Sequence, residues 1–223
     1  NLIYLIPTPI GNLEDITLRA LRILGEVDLI LAEDTRVSKK LLKHYSITTP
    51  LESFHMYNEH QKAPKVIEQL RKGITIAVIT DAGTPGVSDP GFLLVRSALE
   101  ANFEPQCLPG PTALIPALVQ SGIPCERFIF EGFLPPKKGR IKYLERMAQE
   151  SKTQVFYESP HKLTKLFDQM TPIFGPNRKL AVVREISKLY ESTFRGSLKD
   201  AKIFFQSNSP KGEFVIVVEG SKS

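Results

Sequence analysis

"ITIAVITDAGTPGVSDPG", residues 74–91, decides how this chain is read. Its first six residues are apolar or β-branched, as a strand buried on both faces requires. The next twelve, Thr80 to Gly91, hold three Gly, two Pro and three Asp or Ser turn formers. A simple turn needs only about four residues. A loop so rich in Gly and small polar groups lets a ligand come close to the backbone.

The same grammar extends on both sides. Leu2 to Ile6 is a second apolar, β-prone run. A helix follows in "ITLRALRILG", with Leu18, Leu21 and Leu24 predicted on its inner face and Gly25 as a stop. "VDLILA" is another buried strand, ending in Glu33, Asp34, Thr35 and Arg36. Ala63, Val66, Ile67 and Leu70 mark a helix closed by Gly73. Phe92, Val95 and Leu99 mark the next. "EPQCLPGPTALIPAL" reads as a short strand, a Pro-Gly turn and a helix. Strands alternating with amphipathic helices predict an α/β fold with a parallel sheet, whose ligands bind outside the carboxyl ends of the strands. "PTPIGN", "AEDTR", "TDAGTPGVSDPG" and "LPGPTAL" should therefore meet at one edge.

"SGIPCER", residues 121–127, reads as a break. The pattern then restarts with strands "RFIFEGF", "TQVFYE", "KLAVVREI" and "EFVIVVE" and helices around Ile141, Leu144 and Met147, in "HKLTKLFDQM" and in "SLKDAKIFF". "LYESTFRGSL" and "GEFVIVVEG" are expected to pair antiparallel. The expected organisation is two α/β domains, residues 1–122 and 123–223. The first has a mostly parallel sheet, the second a mixed one, and a ligand cleft lies between them.

The 223 residues are 42% hydrophobic and 24% charged, ordinary for a folded chain. No apolar run approaches the roughly 20 residues of a membrane helix. The start breaks at Pro7 and lacks a basic flank, unlike a signal peptide. Cys107 and Cys125 are expected as reduced core thiols in a cytoplasmic protein. Neither they nor the four His show metal-ligand spacing, so no metal is expected. The net charge of +5 gathers in "RVSKKLLKH", "PPKKGRIKYLER" and "REISK". Such clusters fit either a solvated surface or a polyanion such as RNA.

The crevice loops carry neither a P-loop nor a G-x-G-x-x-G, and they lack Lys while holding Asp81 and Asp89. They are poor cradles for polyphosphate. S-adenosylmethionine, with a sulfonium, an ammonium, one carboxylate and a ribose diol, is compatible with them.

"YLIPTPIGNLEDITLRAL", "AEDTR", "ITDAGTPGVSDPG", "PGPTAL", "FYESPHKL", "REISKLYESTFRGSL" and "KGEFVIVVEG" together resemble the RsmI family of 16S rRNA (cytidine-2′-O)-methyltransferases. That family lies within the tetrapyrrole-methylase (class III) fold, and the resemblance runs nearly end to end. It implies a two-domain α/β enzyme, a homodimer, with S-adenosylmethionine between the domains. The implied acceptor is the ribose 2′-hydroxyl of a cytidine in the decoding region of 16S rRNA. The chain departs from the pattern at Lys162 and Tyr190.

By this resemblance the cofactor lies against Pro7, Thr8 and Pro9, against Asp81, Ala82, Gly83, Thr84, Val87 and Ser88, and against Pro109, Thr112 and Ala113. Tyr157 and Phe214 would close the other side. Gly83 and Gly86 would admit the ligand, and Asp81 would accept from its ribose or ammonium; a plain turn or Asx-turn is the alternative at each. A weakly acidic 2′-hydroxyl gains from a base or a stabilising cation. Glu158, Glu185, Lys188 and Arg184 are the candidates, with an ordinary strand-end ion pair as the alternative for Arg184–Glu185. Phosphates would meet Arg36, Lys39, Lys40, Lys137, Lys138, Arg140 and His161. Two other functions remain open at this level: a tetrapyrrole methylase of the same fold, and a non-enzymatic RNA-binding assembly factor.

Overall fold

The computed structural model describes residues 2–207 and 210–221. The chain divides into two compact units, Asn1–Thr112 and Ala113–Ser223.

The first unit is built on β1 (Ile3–Leu5), β2 (Leu29–Ala32), β3 (Leu51–Ser53), β4 (Ile76–Ile79) and β5 (Pro105–Cys107). Their order is β3-β2-β4-β1-β5 and every pairing is parallel. Four helices cross between strands: α1 (Leu18–Glu26), α2 (Thr35–His44), α3 (Glu59–Arg71) and α4 (Phe92–Glu100). Side-chain alternation sorts them into layers. Ile30, Ala32, Ala77 and Ile79 pack with α1 and α2 on one face. Leu29, Leu31, Ile76 and Val78 pack with α3 and α4 on the other. This double cover is why "LILA" and "IAVI" are apolar throughout.

Two helix faces differ from expectation. On α1 the buried residues are Ala20, Ile23 and Leu24, and Leu18 is 86% exposed. Leu18 opens the helix beside its N-cap Thr17, whose hydroxyl accepts from Ala20 N, and the buried face begins only at Ala20. On α4 the buried pair is Leu94 and Ala98, and Phe92 and Leu99 are exposed. The i, i+4 stripe holds, but rotated. Both α2 and β3 escape the apolar pattern, since α2 is mostly polar and β3 is a short edge strand.

The second unit holds β6 (Phe128–Phe133), β7 (Thr153–Glu158), β8 (Lys179–Arg184), β9 (Ser192–Ser197) and β10 (Phe214–Val218), ordered β6-β7-β10-β8-β9. Only β6 and β7 run parallel. β9 pairs with β8, not with β10 as expected. β10 fills the centre between β7 and β8, which leaves β9 no room beside it. Helices α6 (Arg140–Ala148), α7 (Pro160–Phe174) and α8 (Leu198–Ser207) bury one face around Phe156, Phe167, Leu180 and Ile216. Helix α5 (Leu114–Ser121) packs on β8 and β10. It therefore belongs to the second unit, and the division falls ahead of "SGIPCER".

Cys107 and Cys125 are free and exposed rather than core thiols. Cys107 ends the edge strand β5, and Cys125 lies in the link between α5 and β6. No helix among the described residues is long and apolar enough to cross a membrane.

Candidate functional site

Because the first sheet is wholly parallel, the loops after β1, β2, β4 and β5 leave from one edge. The β1 and β4 loops are stitched by backbone: Thr8 N donates to Gly83 O at 3.0 Å, and Gly83 N returns to Thr8 O at 2.9 Å. The Thr8 hydroxyl, buried with its residue, donates to Thr80 O at 2.9 Å. Gly83 accepts this place with φ +80°, a conformation that costs a side chain. The β1 and β5 loops touch more tightly. A Cβ on Gly110 would stand 2.7 Å from Pro7 Cβ, so the glycine is what lets them close.

Carboxylates gather at the same edge. Asp34 caps α2, accepting from Arg36 N at 2.8 Å, and grips the Arg36 guanidinium at 2.6 Å. These hydrogen bonds hold the Asp34 carboxyl down to about 2. Asp34 N donates to Asp81 Oδ1 at 3.1 Å, which joins the β2 and β4 loops. Partial burial pushes the Glu33 and Asp81 carboxyls up, and their acidic neighbours add to the effect. Asp89 is pushed up to about 6, first by burial and then by the charges of Glu33 and Asp81. A crevice in which Glu33, Asp81 and Asp89 stand close enough to raise one another repels polyphosphate and welcomes a cation. The residues present thus fit S-adenosylmethionine: glycine-lined backbone for close approach, acids for its cationic groups, and no lysine among the loop residues.

A cleft of about 210 Å³ lies at this edge between the β1 loop and α2. Thr8, Pro9, Ser38, Lys40, Thr80 and Asp81 are among its lining residues. Of the expected cofactor set, only Thr8, Pro9 and Asp81 belong to it. Lys39 is exposed on α2, as is Arg36 beside its Asp34 partner.

In the second unit the expected residues separate. Arg140 and Glu158 form an ion pair at 2.6 Å, with side chains 5% and 4% exposed. Arg140 also donates to Gln169 Oε1 and Pro135 O, and Glu158 accepts from Ser159 N. Arg140 is thus a brace rather than a phosphate contact, and Glu158 is not open to an acceptor. Lys137 and Lys138 of the same loop are exposed, as is His161 in the first turn of α7. Phe214 is core, 2% exposed and edge-on to Phe205, not a cleft wall. Tyr157 is half-buried against Phe130 and Phe133.

Past β8 the chain bends sharply, with Glu185 at φ +52° and Ser187 at φ +68°. Lys188 Nζ bridges Glu185 at 3.0 Å and Glu213 at 2.8 Å. Burial pulls the Lys188 pKa down, but the two carboxylates outweigh it and raise it. Burial raises Glu185, yet hydrogen bonds from Glu213 N and Lys188 leave it below its ordinary value. Arg184 Nε donates to Lys211 O at 2.6 Å. Lys188 is a firm cation here, and Glu185 is a weak base.

Sequence reading missed Ser38, Thr80 and Glu59 as site residues. Glu59 reaches from α3 to accept from Gly91 N at 3.0 Å and Leu94 N at 3.2 Å. No local pattern announces a carboxylate that caps a helix 32 residues away.

Comparison with known proteins adds to this geometry. The family described as Tetrapyrrole (Corrin/Porphyrin) Methylases matches residues 2–202. A Ribosomal RNA small subunit methyltransferase I from Synechocystis sp. is 47% identical over 221 residues, covering 99% of this chain and 79% of that one. Its namesake from Halalkalibacterium halodurans is 46% identical, covering 98% and 76%. The protein of that name from Escherichia coli O157:H7 is 44% identical, covering 99% and 78%. Among solved structures, a cobalt precorrin-4 methyltransferase aligns with TM-score 0.70 at 17% identity, covering 98% of this chain and 94% of that one. A uroporphyrin-III-C-methyltransferase from Thermus thermophilus aligns with TM-score 0.64 at 20% identity, covering 97% and 93%. The last two are likenesses of fold.

Proposed function

This chain belongs to the tetrapyrrole (corrin/porphyrin) methylase family and, within it, to the ribosomal RNA small subunit methyltransferase I group, and on that footing we propose that it methylates the ribose 2′-hydroxyl of a cytidine in the decoding region of 16S rRNA. The observation that carries the reading is the carboxylate-rich, glycine-lined edge of the first sheet, where Asp81, Gly83 and the Pro7–Gly110 contact lie together.

S-adenosylmethionine would be held by the loop backbone from Ala82 to Ser88, by Thr8 and Pro9, and by the Pro109–Ala113 turn, with Asp81 facing its polar groups. When bound it supplies an electrophilic methyl group on a sulfonium. With the cofactor bound, the apolar faces of Pro7, Pro9 and Val87 would be covered and water displaced from them, which strengthens the charge interactions inside. Most of the acceleration is then positioning of the acceptor oxygen. Lys188, kept protonated by Glu185 and Glu213, is the second unit's candidate to meet a phosphate or a developing alkoxide. Lys39, Lys40, Lys137 and Lys138 are the proposed backbone contacts, and a homodimer would double that basic surface.

The test is methyl transfer from labelled S-adenosylmethionine to 30S particles lacking the modification, with the modified nucleotide mapped. Label on one cytidine 2′-oxygen supports the reading. Cofactor binding by calorimetry without label on RNA overturns the substrate, and tetrapyrroles become the next acceptors to try.

A further inference from the structure

Two buried hydroxyls in the first unit lack any partner among the described residues: Ser38 Oγ and Thr80 Oγ1. Both residues are only 2% exposed. They stand on different elements, Ser38 on α2 and Thr80 at the end of β4, yet both residues line the 210 Å³ cleft, with the two oxygens just beneath its wall. A buried polar group left unpaired is costly, and native chains keep few of them. Two in one cleft mark a surface completed by something else.

The cleft itself narrows the choice. Its volume of about 210 Å³ is below the roughly 300–1,000 Å³ of pockets for drug-sized ligands. None of residues 82–88 or 109–113 lines it, so it stands apart from most of the loops proposed for the cofactor. The Thr8–Gly83 bridge ties the two loops where the regions meet. A phosphate deep inside would face the Asp81 carboxylate. Lys40, exposed in the second turn of α2, also lines it and offers a cation for a phosphate outside. A small polar body inside with an anion outside is the form of one nucleotide turned out of its stack.

We infer that this cleft receives the flipped target nucleoside of the RNA, with the Ser38 and Thr80 hydroxyls as its hydrogen-bond partners and Lys40 as the contact for an adjoining phosphate. The inference rests on the rRNA methyltransferase reading above. Neither hydroxyl takes part in proton transfer; both are positioning groups. Each can donate and accept, which suits the mixed edge of a pyrimidine or the hydroxyls of a ribose.

The test uses Ser38→Ala and Thr80→Val in the full chain, with the wild type alongside. Three quantities are read: kcat/KM for methylation of unmodified 30S particles, Kd for S-adenosylmethionine by calorimetry, and Tm. Removing an unpaired buried hydroxyl leaves no partner orphaned, so Tm should hold or rise. The expected result is a loss in kcat/KM of about ten- to hundredfold, with cofactor Kd within about twofold. A cofactor Kd weakened about tenfold instead would assign the cleft to S-adenosylmethionine and overturn the inference. Unchanged kcat/KM in both variants would leave the cleft to water and overturn it too. A Tm drop that accounts for the lost activity would make the hydroxyls structural, and the inference would again fail. If the wild type itself puts no label on RNA, it is the function reading that fails, and this inference falls with it.

Discussion

Glu59 and Gly91 are joined across 32 residues by a 3.0 Å hydrogen bond from the Gly91 amide to a carboxylate whose residue is only 5% exposed. The same oxygen accepts from Leu94 N, so one side chain of α3 caps α4 and anchors the far end of the Thr80–Gly91 loop. Glu59→Ala should cost about 1–2 kcal/mol, the worth of a lost cap. Glu59→Gln keeps an acceptor oxygen and should cost less. Urea unfolding of both variants checks the order, and calorimetry should show cofactor affinity falling more in the alanine variant.

Gly110→Ala would set a methyl 2.7 Å from Pro7 Cβ, and neither proline ring nor backbone can yield cheaply. The expected outcome, read by thermal unfolding, is about 1–3 kcal/mol of destabilisation from overpacking. Cofactor affinity should weaken with it, since both loops belong to the proposed cradle.

Arg140→Ala strands the buried Glu158 carboxylate and should cost about 3–5 kcal/mol. The paired change Arg140→Met with Glu158→Leu should recover most of that loss. Thermal unfolding of the single and double variants decides it. If the single change is silent in stability yet abolishes RNA binding, the brace is misassigned.

Asp81→Ala should weaken cofactor binding and leave RNA affinity nearly intact. Lys137→Ala with Lys138→Ala should do the reverse, lowering the slope of log K against log salt by about 0.7–0.9 for each phosphate no longer neutralised. Equal weakening of cofactor binding in both variants would show that the two sites are wrongly placed.

Asp89 titrates near 6, above the unfolded value near 4. Such a group favours the fold below the unfolded value, and that support is lost as pH rises from about 4 through about 6. Asp89→Asn should therefore be more stable than wild type at pH 7.5 and equal to it below pH 4. Asp89 is only partly buried, and solvent screens it, so the gain is set at about 1 kcal/mol rather than the full linkage figure. Adding a cationic cofactor should lower the Asp89 midpoint, which carbon NMR of its carboxyl would report.

The parallel sheet was legible because "LILA" and "IAVI" are short, wholly apolar runs bounded by turn signals, as strands covered on both faces are. The loops were legible because glycine and proline punctuate them. β3 was not, since a three-residue edge strand with Glu52 at its centre has no apolar signature. Arg140 and Glu158 were misread for a shared reason: a charged residue looks solvent-facing until its partner, 18 positions away, is brought against it. Ser38 was silent because a buried serine on a polar helix is indistinguishable, by pattern, from a surface one.

The contrast between the two sheets bears on the order in which the chain acquires structure. β8 and β9 form an antiparallel hairpin across the seven residues 185–191, so they can zip locally. No neighbouring pair in the first sheet has that option; each must wait for an intervening helix, and β1 must wait for β4, over 70 residues on. Closure of such long loops slows folding. The half synthesised first should therefore be the half that matures last, and refolding should show the proposed cofactor edge forming after the β8–β9 hairpin.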